Sequence, residues 1–285
     1  MLRPCTELEY REYADFVYAL ALDPARSGYP SYSDGIKTKE MFLESAAQAL
    51  ARENEGLLLF EFGGVAEGWV QYEATPEDRC LQTLGFHIAV HTEAALAEFL
   101  AFAGARFPGY TLDLGFPAEN ERALGWLTAR GIPLLEESRN CTAFPDRLEP
   151  VPPEGDVRRI TRENFALFRT LHEPAEAGMY WTSDRILRAL DRWTVLVLLE
   201  DGAPVGAVYF TALSEDWFEI FGADLRGGFD AGHLRALLAA ALCDAKSRGG
   251  RFMTFFCAPE EEAAARDLGF RSVGGYCCFE TRLDG

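Results

Sequence analysis

Between Asp216 and Leu238 the chain reads DWFEIFGADLRGGFDAGHLRALL, and the parts of an anion-binding device fall in that one stretch. Trp217, Phe218, Ile220 and Phe221 suit a pleated, half-buried strand. Gly222, Gly227, Gly228 and Gly232 then break the run, and from His233 the period changes: Leu234, Leu237, Leu238 and Leu242 recur at helical spacing among alanines. Such a passage aims a helix N-terminus, with its unpaired N–H groups and positive dipole end, at whatever lies beyond the strand. The same residues also suit an ordinary strand-to-helix connection, and both readings stay open at this level.

Other chemistries find no support. His87 and His91 stand four apart (HIAVH) but without the glutamate of H-E-x-x-H and in a stretch that reads as a strand, and His172 and His233 lie far along the chain, so no metal site is expected. No G-x-S-x-G elbow or phosphate-binding Walker loop occurs. The 7 cysteines (Cys5, Cys80, Cys141, Cys243, Cys257, Cys277 and Cys278) form no C-x-x-C pair and are odd in number, against a disulfide framework or structural zinc. A net charge of −18 argues against nucleic acid; it suits attraction of small cationic molecules, and equally a plain solvated surface. The start, MLRPCTELEYREYADF, lacks the apolar core of a signal peptide, and no run approaches a membrane span, so a cytoplasmic protein without membrane partners is expected.

The elements that must position the turn are legible in order. Residues 5–22 read as a helix with Thr6 as N-cap, and 38–52 as a second. Strands follow over 57–62 and 67–74, joined at Gly63-Gly64, then 80–90. A helix over 92–104, a strand over 110–114, a helix over 120–130 and an irregular strand over 133–144 complete a first set. Pro145, Pro150, Pro152 and Pro153, among acidic residues, mark a linker over 147–156. Helices over 161–171 and 183–191 and strands over 195–199 and 205–211 then restart the pattern. Gly68 and Gly206, and Gly131 and Gly269, are separated by the same 138 positions, which points to two copies of one fold rather than a short-period solenoid. The expected domains are 1–146 and 157–285.

This order resembles the GNAT N-acetyltransferase superfamily. Arg235-Ala236-Leu237-Leu238 fits its helix run and Gly269-Phe270 its terminal G-F; its signature Q/R-x-x-G-x-G/A falls on Phe229-Asp230-Ala231-Gly232-His233-Leu234, where Gly232 alone survives. The resemblance implies two tandem α/β (α+β) units, each a mixed, mostly antiparallel sheet flanked by helices. It further implies acetyl-CoA as co-substrate, held in the second copy by Gly222, Ala223 and Asp224 on the strand and by Gly232, His233, Leu234 and Arg235 at the turn, with Arg226 as a substitute cation. Glu219, amid aromatics, is the implied base, since burial raises a carboxyl pKa. The family's acid, a tyrosine, is replaced by Ala265, and Tyr276 is the substitute. In the first copy Asn120, Ala123 and Gly131 fit more faintly, and its turn, Ala89 to Ala94, has no glycine and carries Glu93, so its cofactor site is expected to be lost. The expected activity is N-acetylation of a small cationic amine. The alternative is a binding or regulatory protein that kept the fold and lost the chemistry.

Overall fold

The computed structural model describes residues 1–149, 151–177 and 179–284, so Pro150 of the expected linker lies outside the described residues. The chain divides into two compact units: unit 1 is Met1–Glu137 with Gly274–Gly285, and unit 2 is Ser138–Val273.

Unit 1 begins with β1 (Leu2–Pro4), α1 (Glu7–Ala21) and α2 (Lys39–Ala51). Thr6 and Glu9 close a reciprocal capping box that starts α1, and Thr38 caps α2. Then come β2 (Glu55–Phe62), β3 (Val65–Thr75), β4 (Cys80–Ile88), α3 (Thr92–Arg106), β5 (Thr111–Pro117) and α4 (Glu121–Ala129). Its sheet runs in the order β1-β2-β3-β4-β5 and is completed by β12 (Arg271–Arg282), which pairs antiparallel with β5 from Tyr276↔Pro117 to Arg282↔Thr111. One face packs on α1 and α2 through Val17, Phe42, Leu59 and Trp69. The other packs on α3 and α4 through Phe86, Phe99, Phe116 and Leu127.

Unit 2 holds β7 (Asp156–Arg159), α5 (Ala166–His172), α6 (Ser183–Arg188), β8 (Trp193–Glu200), β9 (Ala203–Ala212), β10 (Trp217–Leu225), α7 (Ala231–Ser247), β11 (Phe252–Cys257) and α8 (Glu262–Asp267). Its sheet runs β7-β8-β9-β10-β11 and is completed by β6 (Leu134–Ala143), which pairs antiparallel with β11 from Arg139↔Cys257 to Ala143↔Met253. α7 covers one face through Leu234, Leu237 and Leu238 against Phe218, Ile220 and Phe255. The other face packs Phe168, Ile186, Trp193 and Tyr209 under α5 and α6.

Among the described residues, the strand pairings given above within each unit are antiparallel except β4 with β5 and β10 with β11, which are parallel. The matched glycines take equivalent places: Gly68 faces Ile88 at the end of β4, and Gly206 faces Leu225 at the end of β10. The divisions differ from the expected 1–146 and 157–285 because each copy's last strand completes the sheet of the other compact unit. None of the 7 cysteines is in a disulfide.

Candidate active site

The sequence of β10 builds a break in its own sheet. β10 pairs with β11 only over Trp217–Ile220 against Phe252–Phe255. Phe221 is then inserted as a bulge, between the pairs Ile220↔Phe210 and Gly222↔Tyr209, and β10 continues to Leu225 on β9 alone. A bulge adds local twist, which turns residues 221–225 away from β11 and opens a gap between the strands. Among the described residues no loop backbone hydrogen bond ends on Phe221 to Asp224. The gap edge therefore presents peptide groups to a ligand in the way a sheet edge does.

Unit 1 has the same break, with parallel pairing of Cys80–Gln82 to Thr111–Asp113 and a bulge at Leu84. There the chain fills it. Ile88 N–H donates to the Arg26 carbonyl at 3.0 Å, and Tyr29 N–H donates to the Gly115 carbonyl at 2.8 Å, so residues 26–29 bridge β4 and β5. Asn120 Nδ2 holds the Ser27 carbonyl at 2.9 Å. Gly28 is required at this crossing, because a Cβ on it would lie 2.6 Å from Phe86 Cβ and 2.9 Å from Phe86 N.

Polar groups converge on the unit 2 gap. Tyr209 lays its hydroxyl over Gly222, where a Cβ would run into it, so glycine is needed after the bulge. That hydroxyl has no hydrogen-bond partner among the described residues, and burial, with the charges of Asp224 and Glu261, pushes the phenol pKa upward. Glu261 follows β11; burial raises its carboxyl, which accepts Ala258 N–H at 2.8 Å. Half-buried Glu219 lies in a row across the sheet with Trp193, Thr211 and Thr254. Trp181, Trp193 and Phe221 pack edge to face beside it, with centroids 4.9 to 6.4 Å apart.

Behind the bulge sits a buried pair. His172 is fully buried, stacked on Phe168 at 4.8 Å. Its Nδ1 lies 2.8 Å from Asp224 Oδ2 and its Nε2 2.8 Å from the Trp181 carbonyl. A carboxylate and a carbonyl only accept, so both ring nitrogens carry hydrogen and the ring is an imidazolium. Burial works to lower its pKa, but the hydrogen bonds to Asp224 and Trp181, with the charges of Asp224 and Glu176, outweigh it and the pKa is raised.

The turn is capped from within. Asp230 Oδ1 accepts Gly232 N–H at 2.8 Å and His233 N–H at 2.9 Å, and the Asp230 carbonyl accepts Leu234 N–H at 3.0 Å.

No family model and no curated protein matches this sequence. Solved structures do match the fold. A GCN5-related N-acetyltransferase from Sphaerobacter thermophilus superposes with a TM-score of 0.63 at 15% identity, over 100% of this chain and 96% of that one. A tandem GNAT protein from the clavulanic acid biosynthesis pathway gives 0.50 at 13%, over 100% and 99%. A fungal glucosamine N-acetyltransferase region gives 0.56 at 11%, over 99% of this chain and 38% of that one. The fold is the tandem GNAT fold.

Set on a GNAT unit, the expected site residues separate. Gly222 and Ala223 edge the gap. Asp224 does not face a ligand: its side chain is spent on His172. Leu234 is buried in the α7 core. His233 Nε2 lies 3.0 Å from Glu200, and Arg235 Nη1 3.1 Å from Asp267. Arg226 is exposed and forms no ion pair among the described residues. Gly232 is the second residue of α7, but its N–H is already spoken for, and a Cβ there would meet only Asp230 Oδ1 at 3.2 Å. Tyr276 lies in unit 1, its ring 4.7 Å from that of Tyr29, whereas Glu219 belongs to unit 2. The gap edge thus leaves the backbone of residues 221–223 without a loop hydrogen bond among the described residues, whereas the N–H groups of Gly232 and His233 at the turn are taken by Asp230. Sequence reasoning missed Tyr209, His172 and Glu261, whose placement depends on register and long-range contact. Asp230 was readable as a helix N-cap.

Proposed function

We propose that this chain is an acyl-thioester-dependent N-acyltransferase that works in unit 2, with acetyl-CoA as donor and a small cationic amine as acceptor. The observation that supports it most is the contrast between the two breaks: residues 26–29 bridge the strands in unit 1 by backbone hydrogen bonds, while in unit 2, among the described residues, no loop backbone hydrogen bond ends on residues 221–224. Tyr209 takes the role of acid in place of Tyr276. Glu219 accepts the ammonium proton of the acceptor, directly or through water. Tyr209 gives its proton to the sulfur as the C–S bond breaks and the C–N bond forms, and the proton shed by nitrogen restores the phenol. The aromatic wall of Trp181, Trp193 and Phe221 and the negative charge of the chain favour a cation in the acceptor place.

The capped turn and Ala265 support a second reading, a binding protein that kept the fold without the chemistry. Titration calorimetry with acetyl-CoA, followed by mass-spectrometric detection of acetylated product over a panel of amines, separates them. Heat and product support the enzyme; heat without product supports the binder; no heat from folded protein removes the acyltransferase reading.

A further inference from the structure

We propose that unit 2 holds its acyl donor by the pantetheine arm alone, so that a pantetheine thioester lacking the nucleotide serves it as well as acetyl-CoA. This rests on the reading of unit 2 as an acyltransferase. The argument is one of occupied places. An anion docks at a helix N-terminus by taking up the unpaired N–H groups of the first turn. In α7 the N–H groups of Gly232, His233 and Leu234 all end on Asp230, two of them on its carboxylate. The neighbouring side chains are partnered as well, His233 Nε2 by Glu200 and the Arg235 guanidinium by Asp267. A pyrophosphate would exchange one anion for another there and meet Asp230, Glu200 and Asp267 around it. Exposed Arg226 stays available, and a solvated guanidinium adds little.

Unit 1 also sets a carboxylate beside the corresponding helix start, although no side chain caps α3 there. At the start of α3 the carboxylate of Glu67, from β3, accepts His91 N–H at 2.9 Å and lies 2.6 Å from His91 Nδ1. Phe62 stacks on that ring at 3.6 Å. Both copies therefore place a carboxylate of their own at the helix that follows the broken strand, one from the cap position and one from a neighbouring strand. The gap beside β10, in contrast, offers backbone to an arm that carries amides and no charge.

The test is titration of the full chain with acetyl-CoA and with S-acetylpantetheine. The expected result is two affinities within about threefold of each other. The Asp230→Ala variant, which frees the N–H groups of Gly232 and His233 and removes the charge, is expected to bind acetyl-CoA at least about tenfold more tightly while its affinity for S-acetylpantetheine stays level. Acetyl-CoA binding the wild-type chain tenfold or more above S-acetylpantetheine overturns this inference and leaves the acyltransferase reading standing. An Asp230→Ala variant, folded by its melting curve, with no gain for acetyl-CoA overturns it too. Binding of neither ligand removes both.

Discussion

At the scale of single residues, Tyr209 and His172 carry the sharpest expectations. Among the described residues the Tyr209 hydroxyl has no hydrogen-bond partner to lose, so Tyr209→Phe keeps the ring packing against Phe168 and Trp193 and shifts stability by less than about 1 kcal/mol. If the phenol protonates the leaving sulfur, the same change lowers turnover by about 10²-fold or more with donor affinity unchanged. Calorimetry and rate measurements on one preparation check both halves. His172 is different, since its ring charge is neutralised inside the unit. Removing one member of such a pair leaves a buried charge, at a cost of about 3–5 kcal/mol; His172→Leu and Asp224→Leu are each expected to lose that much in denaturant unfolding. The pH dependence has a definite sign. The folded pKa of His172 lies above its ordinary 6.5, so the stabilisation is fully present below about pH 6.5 and is lost as pH rises through the folded value. The wild-type melting temperature should fall over that window, and the fall should flatten in His172→Gln.

At the scale of elements, α7 and the segment 26–29 show how a conserved-looking pattern can be put to other use by a neighbour. The period change at His233 gave the helix and its buried face, and Asp230 stands where an N-cap belongs. The glycine at 232 serves no close approach. Asp230→Ala is expected to cost about 0.5–2 kcal/mol through the lost cap, whereas Gly232→Ala, placed in open space apart from Asp230 Oδ1, is expected to hold or raise the melting temperature. The caps and turns that shape most elements were legible: Thr6 with Glu9, Thr38, Asn120, and the glycines ending α4 and α8. α5 began later than its periodicity implied, at Ala166, because Asn164 Oδ1 takes the N–H of Thr161 at 2.6 Å and holds a turn there. Residues 26–29 read as a loop, and nothing in their composition says that a loop will pass between two strands.

At the scale of the whole molecule, alternation and period state which face a strand buries, not which strand it pairs with. That is why two copies of a GNAT fold could be read from Gly68, Gly206, Gly131 and Gly269, while the placing of β6 with β11 and β12 with β5 could not. The same limit moved Tyr276 from one unit to the other and hid the Tyr209–Gly222 pair, which exists only in the register set by the bulge at Phe221. Among the described residues no helix is long and apolar enough to cross a membrane. The central claim is that a thioester arm lies along residues 221–225 of β10 and that the matching place in unit 1 is closed by the chain itself. Amide hydrogen exchange of the full protein, with and without saturating acetyl-CoA, tests it most directly. Slowed exchange confined to the peptides covering 221–225, with residues 84–88 unchanged, is the predicted result; protection at 84–88, or at neither stretch, would contradict it.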